Sequence, residues 1–130
     1  KYYQRDDTGY FHRLNLIQNF SAVTAACLMV KKSLYELIGG MDEANLPIAF
    51  NDVDFCLRLR EKGYLNVFTP YCELYHHESK TRGYEDTPQK KQRFAKEIAY
   101  MRKRHAAILR DGDPYYNINL PLDREDFGML

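Results

Sequence analysis

Apolar positions in this chain come in short bursts whose spacing changes between segments. Residues 1–13, KYYQRDDTGYFHR, mix polar and aromatic side chains around a turn signal at Asp7-Thr8-Gly9 and predict a loop or flap. SAVTAACLMVKK is a compact apolar run of small and β-branched residues, the length of a buried strand over roughly Val23–Val30. KSLYELIGG switches to helical spacing, with Leu34, Leu37 and Ile38 on one face and Gly39-Gly40 as the stop. After the loop MDEANLPIAF, a second helix runs from Asp52 to Lys62 and ends at Gly63. Its Val53, Cys56, Leu57 and Arg60 follow i, i+3, i+4, i+7 spacing, the arginine through its alkyl stem, and Phe55 and Leu59 widen the stripe. LNVFTP predicts a strand over Leu65–Thr69 closed by Pro70, and the alternating YCELYHH predicts another. ESKTRGYEDT is a charged loop. Thr87-Pro88 then caps and opens a long helix whose buried stripe is Phe94, Ile98, Met101, His105 and Ile108. DGDP breaks that helix, and YYNINLPLDREDFGML is an extended tail without repeats or low-complexity sequence.

The order strand, helix, helix, strand, strand, helix makes the fold class α/β. Three strands fall short of the ~5–6 of an average sheet. Residues 1–130 are therefore expected to form a single partial domain whose remaining strands lie elsewhere. An apolar strand at Val23–Val30 cannot sit with a bare edge, so a homodimer, or the N-terminal segment folded across that edge, is expected. Net charge is only +1, which argues against a nucleic-acid binder. Eleven Tyr and seven Phe with no Trp supply aromatic faces for a core or for stacking on sugars. Cys27, Cys56 and Cys72 are an odd number without CxxC spacing, and their apolar neighbours predict reduced, buried thiols in a cytoplasmic protein. No apolar run approaches the length of a membrane span and no signal peptide is visible.

Chemistry concentrates at the entrance of the second helix, AFNDVDFCLRLREKGY. The plain reading of Asp52 is a helix cap, with Asp54 in the first turn where the dipole favours a negative charge. The paired His76 and His77 of YHHES change the balance, because histidines at a strand end are common metal ligands. The helix from Asp52 advances about 16 Å at ~1.5 Å per residue. The following strand returns a similar distance at ~3.3 Å per residue, so His76 can reach the level of Asp52. A carboxylate and a histidine converging on a cleft suit a general base and a cation ligand. A metal-dependent hydrolase built on Asp52, Asp54, His76 and His77 would need all four side chains to converge. On one helix Asp52 and Asp54 stand about 200° apart, so they are expected to diverge.

These segments carry a resemblance. TAACLMVKKSLYELIGGMDE followed by AFNDVDFCLRLREKGYLNVFTPYCELYHHESKTRG, residues 20 to 83, resembles the acceptor-side, C-terminal half of family 2 glycosyltransferases of the GT-A fold. The tail DPYYNINLPLDREDF resembles members of bacterial polysaccharide and O-antigen type. The resemblance implies an inverting hexosyl- or rhamnosyl-type transferase that moves a sugar from a nucleotide-diphosphate sugar to a glycan or lipid-linked acceptor, in the cytoplasm or at the inner face of the membrane. It implies Asp52 as general base, with Asn51 in the place of a preceding acid. His76, with His77 as competitor, would help bind Mg²⁺ or Mn²⁺, and Arg82 beside Gly83 would lie in a loop covering the donor phosphates. Phe50 and Tyr75 could wall the acceptor, with core packing the commoner use of Tyr75, and Arg58 and Arg60 could neutralise phosphate or simply pack. The sequence departs from the family pattern in two ways. No donor-side DxD precedes the base motif, and MRKRHA stands where processive members carry QxxRW. The expectation is a non-processive enzyme piece lacking its N-terminal donor-binding half, which fits a chain opening on Lys1 and not Met, and which is inactive alone. The alternative is a sugar- or partner-binding module of the same fold without catalysis.

Overall fold

The computed structural model describes residues 4–76, 87–124 and 127–128. Helix α2, Asn51–Glu61, is the element around which the others pack. It supplies Phe55, Cys56, Leu57 and Leu59 to the buried apolar set, which Leu46 and Leu120 complete. The predicted helix is thus present one residue earlier than expected. Val53 is only half-buried, whereas Asp54 at the next position is fully buried.

Strand β1, Gln18–Phe20, pairs antiparallel with β2, Asn66–Phe68, in the register Gln18↔Phe68, Asn19↔Val67, Phe20↔Asn66. The Phe20 and Phe68 rings meet edge-on at 5.9 Å on one face of this two-stranded sheet. Asn66 is buried without polar cost, because its Nδ2 donates to the Ser21 carbonyl at 2.9 Å and the Cys56 carbonyl at 3.1 Å. That one amide fastens the sheet to the middle of α2.

Helix α1, Lys32–Ile38, ends at Gly39, in the left-handed conformation at φ 85°, as the glycine pair predicts. Gly40 is needed as well: its φ is 68°, and a Cβ there would meet the Tyr35 ring at 3.0 Å. Helix α3, Pro88–Arg104, starts with Thr87 Oγ1 accepting from the Lys90 N–H at 3.3 Å. At His105 the backbone leaves helical geometry, and a short helix α4, Ala106–Asp111, continues beyond the kink. Helix α3 also holds the loop between α1 and α2. Tyr100 donates its hydroxyl to Asp42 at 2.7 Å, and the buried Glu97 accepts from the Ile48 N–H at 3.1 Å. The Tyr100 hydroxyl, aided by Asn45, holds the Asp42 carboxyl below its ordinary range.

Two expected strands are not formed. Val23–Val30 contains a 3-10 turn, Ala25–Cys27, capped by Thr24, and Met29 is almost fully exposed. Residues 71–76 are exposed and unladdered. A strand persists only where a neighbour takes its backbone hydrogen bonds, and among the described residues neither segment has one. The fold is mixed α/β, and the sheet edge expected at Val23–Val30 does not exist in this chain. Among the described residues no helix is long and apolar enough to cross a membrane.

Candidate functional site

Asp52 lies in the first turn of α2 and not at its cap. The cap position is taken by Phe50, whose φ of 62° and ψ of 4° place a bulky residue in the left-handed region. Stacking of its ring on Phe94 of α3, at 5.5 Å and 20° between planes, holds it there. Phe50 is therefore tied to α3. This backbone turn presents the half-buried Asp52 carboxylate to the segment before α1. Oδ2 accepts from the Ala25 N–H at 3.0 Å, and Oδ1 accepts from the adjacent Val53 N–H at 2.9 Å. Both partners are backbone donors. They orient the carboxylate.

Asp54, two residues on, has the opposite environment. It is fully buried, with Oδ2 accepting from Arg58 Nε at 2.7 Å and Oδ1 shared by Arg104 Nε at 3.2 Å and His105 Nε2 at 2.8 Å. Arg58 extends the network, donating to the Ile38 carbonyl at 2.8 Å and the Gly40 carbonyl at 2.7 Å. Asp54 therefore joins the end of α1, the body of α2 and the α3–α4 kink. The expected divergence of the two carboxylates is present, and the convergence that a hydrolase centre requires is not. Asp54 stands in the first turn as expected, and the structure adds that it is the centre of a buried ionic cluster. The Asp54/Arg58 pair was available in the sequence as an i, i+4 spacing. The contribution of His105 was visible only as a member of a buried stripe.

The remaining candidates distribute unevenly. His76 is exposed at the end of a described segment, and no described hydrogen bond or ion pair joins it to Asp52. His77, Arg82 and Gly83 lie outside the described residues. Among the described residues no three His, Cys, Asp or Glu side chains gather as a metal site, so Asp52 and His76 do not by themselves fit a cation. Tyr75 is 77% exposed, which removes the core-packing role expected for it. Arg60 is held within the fold: it donates to Ser21 Oγ at 2.6 Å and lies 5.2 Å over the Tyr115 ring, while Ser21 donates to Asp113 at 2.6 Å. A cleft of about 490 Å³ lined by Leu57, His105 and Ile108 opens between α2 and α4 and does not include Asp52.

The cysteines differ from the expected trio of buried thiols. Cys56 is buried, and that burial pushes its thiol up. Cys27 and Cys72 are exposed, with their sulfurs 3.8 Å apart, and the Cys72 thiol beside it raises Cys27.

Comparison with known proteins places these residues in context. The chain is 52% identical over 126 residues to "Uncharacterized protein y4gI" of Sinorhizobium fredii, covering 96% of this chain and 14% of that protein. It is 33% identical over 112 residues to the "O-antigen biosynthesis protein RfbC" of Myxococcus xanthus, covering 86% of this chain and 8% of the relative. A stretch of 61 residues, 47% of the chain, is 34% identical to 20% of an "N-acetylglucosaminyl-diphospho-decaprenol L-rhamnosyltransferase" of Mycobacterium tuberculosis. The chain thus spans a fifth or less of the length of each of these relatives. No family model and no solved structure matches it.

Proposed function

We propose that this chain is the acceptor-side part of a glycosyltransferase acting in polysaccharide biosynthesis, with Asp52 as general base. The observation that carries the reading is the contrast between the two carboxylates. Asp54 is saturated by Arg58, Arg104 and His105 and has no access for a substrate. Asp52 is half-buried, aimed by two backbone N–H groups, and keeps lone pairs for an incoming hydroxyl. Inverting glycosyl transfer needs such a carboxylate, to take the acceptor proton as the oxygen attacks the anomeric carbon. Similarity to a named rhamnosyltransferase and a named O-antigen biosynthesis protein supports the same class. In this reading the donor is a nucleotide-diphosphate sugar bound largely by another part of the protein. The acceptor is a glycan or a lipid-linked sugar at the cytoplasmic membrane face. Mg²⁺ or Mn²⁺, if used, takes its further ligands from outside the described residues, and no step is assigned to it.

The test is Asp52→Asn in the full-length protein. An amide cannot accept a proton at neutral pH, so turnover should fall by about 10²–10⁴, with donor KM unchanged and the fold retained. Near-normal kcat would overturn the base assignment and favour a binding module. One hydrogen bond to Ala25 or Val53 is lost in this variant, a cost of about 1 kcal/mol, so a melting curve must accompany the kinetics.

A further inference from the structure

We propose that Cys27 and Cys72 form a dithiol–disulfide site that, when oxidised, ties the turn holding Asp52 to the segment that follows β2. The two thiols are 45 residues apart in sequence, yet their sulfurs stand 3.8 Å from each other. Both are exposed, so a small oxidant reaches them. A disulfide needs sulfurs at about 2.05 Å, and neither cysteine lies within a longer helix or a paired strand that would resist the approach. Cys27 ends the 3-10 turn Ala25–Cys27, and Cys72 sits in the unladdered segment after β2. Cys56, the third cysteine, is buried with its sulfur facing the Val23 carbonyl at 3.6 Å, and so stands outside the exchange.

The position gives the bridge a consequence. The turn that ends at Cys27 begins at Ala25, whose N–H holds Asp52 Oδ2. The segment that holds Cys72 leads to His76 four residues later. Closing the bridge fixes the separation of these two segments. The bridge and the catalytic role of Asp52 are independent: failure of either leaves the other standing.

The oxidant is a small-molecule disulfide such as oxidised glutathione. The thiolate of one cysteine attacks a glutathione sulfur, breaking the S–S bond and releasing one glutathione thiolate. The second cysteine's thiolate attacks the mixed disulfide, forming the Cys27–Cys72 bond and releasing the second glutathione. The two cysteine thiols are oxidised, one glutathione disulfide is reduced to two thiols, and the two protons pass to the glutathione sulfurs.

The test incubates the chain with oxidised glutathione, quenches with acid and counts thiols in denaturant. The expected result is a fall from three thiols to one, a mass lower by two hydrogens, and a digest peptide joining Cys27 to Cys72. Hydrogen exchange at the Ala25 amide should slow, and reduced glutathione should reverse both changes. Cys27→Ser and Cys72→Ser, both at exposed positions that tolerate serine, should each keep two thiols or carry a glutathione adduct, with no internal bridge. Three surviving thiols, mixed adducts alone in the unsubstituted chain, or a bridge containing Cys56 would each overturn the proposal.

Discussion

Asp52 and Asp54 are two residues apart, identical in chemistry, and opposite in what surrounds them. The helix angle alone separates them, and the partners decide the rest: backbone donors for one, two guanidiniums and an imidazole for the other. The consequence is that Asp54→Asn is not a silent control for Asp52→Asn. Removing the charge of Asp54 leaves Arg58 beside a neutral amide in a buried site, where breaking a buried pair costs about 3–5 kcal/mol. The expected outcome is a large fall in the thermal midpoint of Asp54→Asn. Any turnover that survives in its folded fraction should be nearly normal, whereas Asp52→Asn should melt close to the parent and turn over poorly. Circular dichroism melts paired with single-turnover rates separate the two. If Asp54→Asn melted like the parent, the buried cluster would not be holding the elements together.

At the scale of elements, legibility followed locality. Helices α1, α2 and α3 were readable because their stops and starts are written in adjacent residues: Gly39-Gly40 after α1, Thr87-Pro88 before α3, and the apolar stripe of α2. Strand β2 was readable for the same reason, from NVF ahead of a proline. Val23–Val30 and 71–76 were not, since a strand is a property of two segments and an apolar run says nothing of its neighbour. Strand β1 over Gln18–Phe20 carries no apolar burst at all and exists because Asn66–Phe68 pairs with it. Within the candidate site, the carboxylate and the helix that bears it could be found from sequence. The Ala25 donor and the left-handed Phe50 could not, because neither leaves a local signal. Arg58 shows what joins elements once they form. Its fork reaches Asp54 on α2 together with the Ile38 carbonyl that ends α1 and the Gly40 carbonyl just beyond it, a geometry that an ammonium cannot copy. Arg58→Lys should therefore lose about 1.5–3 kcal/mol, measured by urea unfolding, while the full-length protein keeps its donor KM. A raised donor KM with unchanged stability would return Arg58 to phosphate binding.

At the scale of the molecule, the described residues hold an oriented carboxylate but little to hold a donor. A nucleotide diphosphate needs positive charge or backbone donors around its two phosphates, and the arginines nearest the site are otherwise engaged. Arg58 spans Asp54 and the end of α1, Arg60 spans Ser21 and Tyr115, and Arg104 leans on Asp54. No group of three metal-binding side chains stands among the described residues to recruit a cation in their place. Much apolar surface is exposed on the segments around Cys27 and Cys72, with Met29 at 99%, Tyr71 at 84% and Leu74 at 69%, although the described residues include few buried apolar side chains. Both features fit a part that works against another part of a longer protein, as its coverage of a fifth or less of its relatives allows. The 130 residues alone should consequently bind no nucleotide-diphosphate sugar with a micromolar Kd, with or without Mn²⁺, and should transfer no sugar. Isothermal titration of the folded chain with a panel of such donors is the direct measurement. A full-length protein containing the same residues should give a cation-dependent or charge-dependent donor signal in the same panel. Micromolar donor binding by the 130 residues would mean that the diphosphate site is built here, and the division into donor and acceptor parts would have to be abandoned.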